Sequence, residues 1–406
     1  VTRTQPSSNL ALLTDRTFGP YFAGNLISNA GNWIQNIAAA TAVFNLTGSA
    51  TLTGVVSGAL WLGSLLLQPY AGALSDRINR RLLLFAGQSL SLVAAAVLAV
   101  WTVVVGLDGL PGPWPIIGVT VVIGIGQALA IPASQALVPA LVRPDDLEPA
   151  IALNSVTYTL GRSIGPVAAA GILFLGGATA GFVVNAFTFL PLLIALWVID
   201  PRAMPAAEGD GSIREGLAYL RDTAGVVGIM LVVTAIGWTS DPLNTLSPAI
   251  AQRVGGGDAL VGIFVGAFGL GAAVMGTRVT QVRQRVGADR TARGGLVVFG
   301  LSVATFGLAP AAWVGVTAML VAGVGFLCAL TTITTWVQEV VPDQLRGRVM
   351  AVWGVAFLGS RPFAAVIDGA LGDALTPGIA TVIAAVPVVA GAVWMPSISR
   401  VPDPAA

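Results

Sequence analysis

The sequence predicts an all-α polytopic membrane protein, with twelve transmembrane helices arranged as two pseudo-symmetric six-helix halves. Three observations carry that expectation. Of 406 residues, 55% are hydrophobic and 10% charged, with a mean hydropathy of +0.84; the charged share is well under half the roughly 25% typical of soluble domains. Apolar stretches long enough to cross a hydrocarbon layer about 30 Å thick, which takes roughly 20 helical residues, recur along the chain. The longest polar break, residues 201–224 with Pro201, Pro205, Glu208, Gly209, Asp210 and Gly211, leaves six such stretches on either side.

In order, the expected spans run over residues 18–46, 51–74, 82–106, 115–142, 149–174, 178–199, 225–249, 259–282, 294–310, 313–340, 346–371 and 376–395, numbered spans 1 to 12. Gly and Pro inside several of them are compatible with spanning helices, because neighbouring helices can satisfy the freed backbone groups. Residues 1–16 are polar, carry Arg3 and Arg16, and lack an apolar core with a small-residue cleavage site, so no removable signal peptide is expected there. The expected organisation is an N-terminal half over residues 1–200, a central cytoplasmic linker over 201–224 and a C-terminal half over 225–406.

Orientation follows from the arginines, since basic residues in short loops are retained on the cytoplasmic side. With the N-terminus inside, 17 of the 20 arginines fall in cytoplasmic segments: Arg3, Arg16, Arg77, Arg80, Arg81, Arg143, Arg202, Arg214, Arg221, Arg278, Arg283, Arg285, Arg290, Arg293, Arg346, Arg348 and Arg400. Arg253 falls outside, and Arg162 and Arg361 fall within spans. Both termini of this multi-pass cell-membrane protein are therefore expected in the cytoplasm.

The composition also removes whole chemistries. The chain has no Lys and no His, which excludes a P-loop lysine, a Schiff-base amine, His-based nucleophilic triads and His-bearing metal sites. The single Cys328 can form neither an internal disulfide nor a cysteine cluster. A formal net charge of +1 gives no reason to expect nucleic-acid binding. No cofactor, no metal and no enzymatic activity are expected.

The two halves resemble each other. Gly54, Gly58 and Gly63 of span 2 match Gly262, Gly266 and Gly271 of span 8 at a constant offset of 208, and Pro144, Asp145 and Leu147 match Pro342, Asp343 and Leu345 at an offset of 198. Glycine matches in helices arise easily by chance in so glycine-rich a chain, whereas the Pro-Asp-x-Leu match lies in a loop. Many secondary transporters are built from such repeats, with the substrate site between them.

The segment Gly72-Ala-Leu-Ser-Asp76-Arg77-Ile-Asn-Arg80-Arg81 resembles the signature loop of the major facilitator superfamily. Three further stretches are similar to its drug and siderophore exporter branch, the enterobactin-exporter-like group: Ser28 to Trp33 with Leu46-Thr-Gly48-Ser49, Pro132 to Pro139, and Arg162-Ser-Ile-Gly165-Pro166. Leu345-Arg346-Gly347-Arg348 extends the resemblance into the second half. The resemblance implies the major facilitator fold and assigns Gly72, Asp76, Arg77, Arg80 and Arg81 to a cytoplasmic gate, in which the Asp sits at the start of a helix of the other half. A topogenic loop is the simpler reading of the same arginines. The second half departs from the pattern, with Gln284 aligned to Asp76 while Arg285 keeps Arg77. Gly161, Gly165 and Pro166 look like the exporter motif of span 5, continued by Ala169-Ala170-Gly171 with Ala where relatives often have Gly; small residues four apart are also explained by close helix packing alone. Span 4 lacks the Arg that many proton-coupled relatives carry.

Arg162 and Arg361 lie about 13 to 15 residues into their spans, roughly 20 Å from the cytoplasmic end at 1.5 Å per residue and beyond easy snorkelling. An intramembrane charge normally meets a partner or an aqueous cavity, and Asp241 and Asp368 are the available acids. Asp368 follows Arg361 by seven residues, two turns along one face. Ion pairs that only hold helices together are the alternative to substrate binding or coupling. In span 1, Asn25, Asn29, Asn32 and Asn36 form one polar stripe by their spacing of 4, 3 and 4, and span 7 places Thr234, Trp238, Asp241 and Thr245 at the matching positions. The stripe either glues helices or lines a cavity; the resemblance favours the cavity. Asp241 leads the titratable candidates, with Glu339 weaker, and Gln127, Gln135, Thr331, Thr335 and Gln338 offer further polar lining.

The expected function is secondary active export of small amphipathic molecules such as drugs, antibiotics or siderophores by alternating access. Proton antiport is expected as the energy source, because no nucleotide motif is present, and the expected form is a monomer in the lipid bilayer. A lipid or lysolipid transporter of the same fold is the alternative. A membrane enzyme is disfavoured for want of a nucleophile and base.

Overall fold

A computed structural model describes residues 9–199 and 224–398. Of the expected linker only Ala224 is among them, and Arg3, Arg202, Arg214, Arg221 and Arg400 lie outside. The backbone is helical at Gly72, Asp76, Arg77, Arg346 and Arg348, whose side chains also lie outside the described set.

Among the described residues every regular element is a helix, as a lipid-exposed chain requires when its backbone has no water to bond. Helix α1 is Asn9–Leu13, and spans 1 to 4 are α2 (Phe18–Thr47), α3 (Ala50–Arg77), α4 (Arg80–Val105) and α5 (Trp114–Leu141). A 3-10 turn, Pro144–Asp146, leads into α6 (Leu147–Thr188), which holds span 5 and the start of span 6, finished by α7 (Leu190–Val198). Spans 5 and 6 are divided at Gly176 and Gly177, where the backbone leaves the helical region. The second half comprises α8 (Ala224–Thr239), α9 (Pro242–Thr245), α10 (Ser247–Arg253), α11 (Asp258–Gly276), α12 (Val279–Val286), α13 (Ala288–Gly307), α14 (Ala312–Val340), α15 (Asp343–Gly359), α16 (Arg361–Ala374) and α17 (Pro377–Trp394). Local chemistry sets several starts. The Asp15 carboxylate accepts from the Thr17 and Phe18 amides, both at 2.8 Å, ahead of α2. Asn79 caps α4, and Thr376 caps α17.

Three spans differ from their expected form. Span 8 ends at Gly276, and residues 279–286 make a separate basic helix, α12, whose Val279 is buried while Arg285 is exposed. Spans 7 and 11 are kinked at prolines rather than straight. The ladder loses hydrogen bonds beside Asp241, Leu246 and Ser360, while the backbone of all three stays in the right-handed helical region. Pro242, Pro248 and Pro362 each stand just past a kink, in the first turn of the helical piece that follows.

The chain divides into two compact units. The first comprises Val1–Thr47 with Ala59–Glu208. Its packed core joins Phe18, Tyr21, Leu84, Leu137, Leu192 and Leu196, and span 1 lies along α6. The second comprises Gly48–Gly58 with Gly209–Ala406. Here Phe268, Phe299, Phe326 and Phe357 stack in a connected aromatic series, with ring centroids 5.3 to 6.4 Å apart.

Each unit contains the same glycine seam, which is the structural form of the repeat. In the first, Gly87 of span 3 and Gly126 of span 4 face each other so closely that a Cβ on either would lie 2.6 Å from the other's carbonyl oxygen. In the second, Gly295 of span 9 and Gly325 of span 10 do the same at 2.9 and 2.8 Å. Without side chains the helices approach backbone to backbone, and packing gains what the missing groups would have blocked.

Candidate functional site

The kinks of spans 7 and 11 meet inside the second unit, where α9 packs against α16. Asp241 ends the first piece of span 7, Arg361 opens the second piece of span 11, and each immediately precedes a proline. Asp241, Arg361 and Asp368 are each 1% exposed. The Arg361 guanidinium donates through Nη2 to the Ser240 hydroxyl at 2.7 Å and lies 5.4 Å from the centre of the Phe357 ring. The Asp241 carboxylate accepts from the Thr245 hydroxyl at 2.7 Å and feels the charge of Arg361. Asp368 points into the same region as Asp241, and neither of its oxygens has a hydrogen-bond partner. The Trp238 indole faces it outside strict hydrogen-bonding geometry. The expected two-turn relation of Arg361 and Asp368 is present, both on the buried side of α16, without a hydrogen bond between them.

The asparagine stripe of span 1 divides into two parts. Asn25 donates to Asn154 at 3.1 Å and Thr157 at 3.2 Å, and Asn29 donates back to Asn25. Tyr21 joins the same network through Ser134 and Asn154. These groups hold span 1 to spans 4 and 5. Asn32 and Asn36, one and two turns further on, each have a buried side-chain oxygen without a hydrogen-bond partner. Gln35 and Gln127 each leave an amide nitrogen in the same condition. Gly161 and Gly165 let span 5 close on span 1: a Cβ on Gly161 would lie 2.7 Å from that of Asn29, and one on Gly165 would lie 2.7 Å from the Ala30 carbonyl oxygen. Pro166 lies within a continuous stretch of helix, whereas Pro362 stands at a kink. Through this close approach Arg162 comes over the Trp33 ring, 5.4 Å from its centre. Arg162 and Arg361, near mates in the sequence offset, therefore occupy different settings: one half-buried within span 5, the other fully buried beside the proline kink at Ser360.

In the segment assigned to the gate, Arg80 donates to the Ala136 carbonyl at 3.3 Å. Arg81 donates to the carbonyls of Leu196 and Trp197 at the end of α7. The second unit repeats this arrangement, with Arg293 donating to the carbonyls of Ala392, Val393 and Met395 at the end of α17. A third arginine, Arg253, donates to the Gly307 and Ala309 carbonyls where α13 ends. Each places a cation at the negative end of a helix.

With this geometry in place, the sequence profile of the transmembrane secretion effector family matches residues 7–405. The chain belongs to this family of major facilitator transporters. Curated relatives of this transporter include the enterobactin exporter EntS of Shigella boydii, 26% identical over 390 residues, covering 91% of this chain and 88% of the relative. The exporter of the same name from Escherichia coli is 27% identical over 391 residues with the same coverage. Among solved structures, the nucleoside transporter NupG superposes with a TM-score of 0.78 at 12% identity, covering 94% of this chain and 99% of that one. A bacterial homologue of the iron transporter ferroportin gives 0.72 at 16% identity, covering 95% and 100%, and a D-xylose-proton symporter gives 0.73 at 16%, covering 97% and 99%. These structural likenesses establish the fold.

Several polar residues of the transporter's interior were not singled out from the sequence: Tyr21, Gln88, which bonds Ser28 of the exporter-like stretch, Gln35 with Asn185, and Ser240. Ser240 had an available signal. A buried charge directly before a proline marks both kinks, and the residues beside a kink are those whose backbone and side chains face one another.

Proposed function

We propose that this membrane transporter is a secondary active exporter of small amphipathic molecules, working by alternating access and exchanging its substrate for protons. Siderophores, the class its curated relatives are named for, are the first substrates to test, followed by drugs and antibiotics. The observation that carries the reading is the pair Asp241 and Asp368, two carboxyls removed from water at kinked helices with Arg361 beside them. With no His or Lys in the chain, carboxyls are the natural proton carriers.

In this reading Arg162 and Arg361 receive anionic groups of the substrate, and Asn32, Asn36 and Trp238 supply hydrogen bonds and an apolar face. Asn25 and Asn29 hold the stripe in place. Gly161, Gly165 and Pro166 keep span 5 close to span 1 in the manner of the exporter motif. Gly72, Asp76, Arg77, Arg80 and Arg81 form the cytoplasmic gate, both termini are cytoplasmic, and the working unit is a monomer in the bilayer. The test is transport in proteoliposomes with an imposed pH gradient and a panel of catecholate siderophores, drugs and lysolipids. Gradient-driven movement of a siderophore or drug is expected. Movement of lysolipids alone would replace the substrate class, and transport indifferent to the gradient would remove proton exchange.

A further inference from the structure

We propose that the cleft between the start of α4 and the end of α7 binds one anionic phospholipid, with Arg81 holding the phosphate of its headgroup. The cleft has a volume of about 460 Å³ and is lined by Asn79, Arg81, Leu82, Phe85, Leu196 and Trp197. All six belong to the first compact unit. The lining has two parts. Asn79 and Arg81 are polar, and the other four form an apolar wall on which Leu82 is 59% and Trp197 79% exposed. A free anion would leave that wall uncovered, and a hydrocarbon chain alone would leave the cation without a counter-charge. Tryptophan at the end of a span sits at headgroup level, where a phospholipid presents its charge and its chains side by side.

The electrostatics select an anionic headgroup. Arg80 and Arg81 both stand in the first turn of α4, where the helix dipole is already positive, and that turn has no acidic residue. Arg81 commits two N–H groups to the Leu196 and Trp197 carbonyls. A guanidinium has five, so the remainder can meet phosphate oxygens, acceptors that suit its planar fork. Among the described residues no carboxylate pairs with Arg81. The second unit shows the contrast. Its clamp arginine, Arg293, is paired with Asp289 at 2.8 Å. At the offset of 208 that brings Gly87 onto Gly295, Asp289 falls at the position of Arg81 itself. One unit neutralises its clamp with an internal acid, and the other has a cation in that acid's place, whose counter-charge is left to the membrane. A zwitterionic headgroup would set its own cation beside Arg80 and Arg81.

The test is native mass spectrometry of the full chain, delipidated in detergent and offered an equimolar mixture of phosphatidylglycerol and phosphatidylcholine. Retention of one phosphatidylglycerol with a preference of about fivefold or more is expected, the factor that one basic residue confers at an anionic surface. Arg81→Gln should bring the preference to near parity. Because that change also loosens a helix clamp, two further variants separate binding from folding. Leu82→Glu, at an exposed position, leaves the clamp in place and should abolish the preference as fully. Arg293→Gln loosens the clamp of the second unit and should keep it. Equal retention of both lipids by the wild type would overturn the proposal, as would an undiminished preference in either Arg81→Gln or Leu82→Glu, or a loss in Arg293→Gln equal to that in Arg81→Gln. Displacement of phosphatidylglycerol by an equal concentration of glycerol phosphate would show a simple anion site and overturn it too. No transport is measured, so these outcomes stand apart from the exporter reading.

Discussion

Arg361 Nη2 lies 2.7 Å from Ser240 Oγ, so the kink in span 11 is tied to the kink in span 7 by one charge-assisted hydrogen bond. Removing the hydroxyl by Ser240→Ala should destabilise the protein by about 1.5–3 kcal/mol, the range for hydrogen bonds to charged groups, read as a lower unfolding midpoint in detergent. Arg361→Gln should lower transport at least tenfold, and Arg361→Lys should restore little of it, because an ammonium cannot both reach Ser240 and keep the guanidinium's place over Phe357.

The carboxyls should separate by function. Asp368→Asn and Asp241→Asn are expected each to reduce pH-gradient-driven transport at least tenfold while leaving downhill exchange of substrate measurable. Full gradient-driven rates in both variants would show that protons use another route.

The paired clamps of Arg81 on α7 and Arg293 on α17 should behave alike. Each alanine variant is expected to cost about 1–2 kcal/mol, from charged hydrogen bonds and the helix C-terminus together. Thermal unfolding of the two single variants and the double would show near-additive losses, because the clamps belong to different units.

The glycine seams give a steric prediction with an internal control. Gly126→Ala and Gly325→Ala each force a Cβ to within 2.6 and 2.8 Å of a facing carbonyl oxygen, and overpacking of this kind costs about 1–3 kcal/mol. Gly118→Ala and Gly294→Ala meet no atom within 4 Å and should be neutral or stabilising, since Ala is the better helix former. Yield and unfolding temperature of the four variants decide it.

Asp289 sets a pH dependence at the end of the chain. Burial pushes its carboxyl up, but the hydrogen bond from Arg293, the Ile398 amide and the Arg293 charge outweigh this and hold it below the usual range. A folded value below the unfolded one, about 3.9, means the stabilisation is present at neutral pH and is lost as pH falls through the folded value. Acidification to that range should loosen residues 395–398 first. Hydrogen exchange at the Ile398 amide should show the transition in the wild type and none in Asp289→Asn.

How much of this was legible in the sequence depends on the range of the physics involved. The twelve spans follow from segment hydrophobicity, which is local, and the all-helical membrane fold bears them out; the repeat was read from the Pro-Asp-x-Leu loops and offset glycines. Arg162, Arg361, Asp241 and Asp368 could be singled out because a charge in an apolar span is conspicuous whatever it touches. The kinks of spans 7 and 11 were overlooked because hydropathy averages over Pro242 and Pro362, and a proline such as Pro166 can equally leave its helix unbroken. Only the packing of the helical pieces, with each other and with their neighbours, decides between those outcomes.

The sequence by itself determined that the chain crosses a membrane, that it does so in two related halves, and that its buried chemistry rests on arginines and carboxyls. Tertiary structure alone decided what each of them meets. Arg81, Arg253 and Arg293 close helix ends, Arg162 lies on Trp33, and Arg361 with Asp241 and Asp368 gathers at two kinks. The physical reason is that insertion free energy is summed residue by residue along one helix, whereas a charge's partner is chosen by which other helices bring donors and acceptors within about 3 Å.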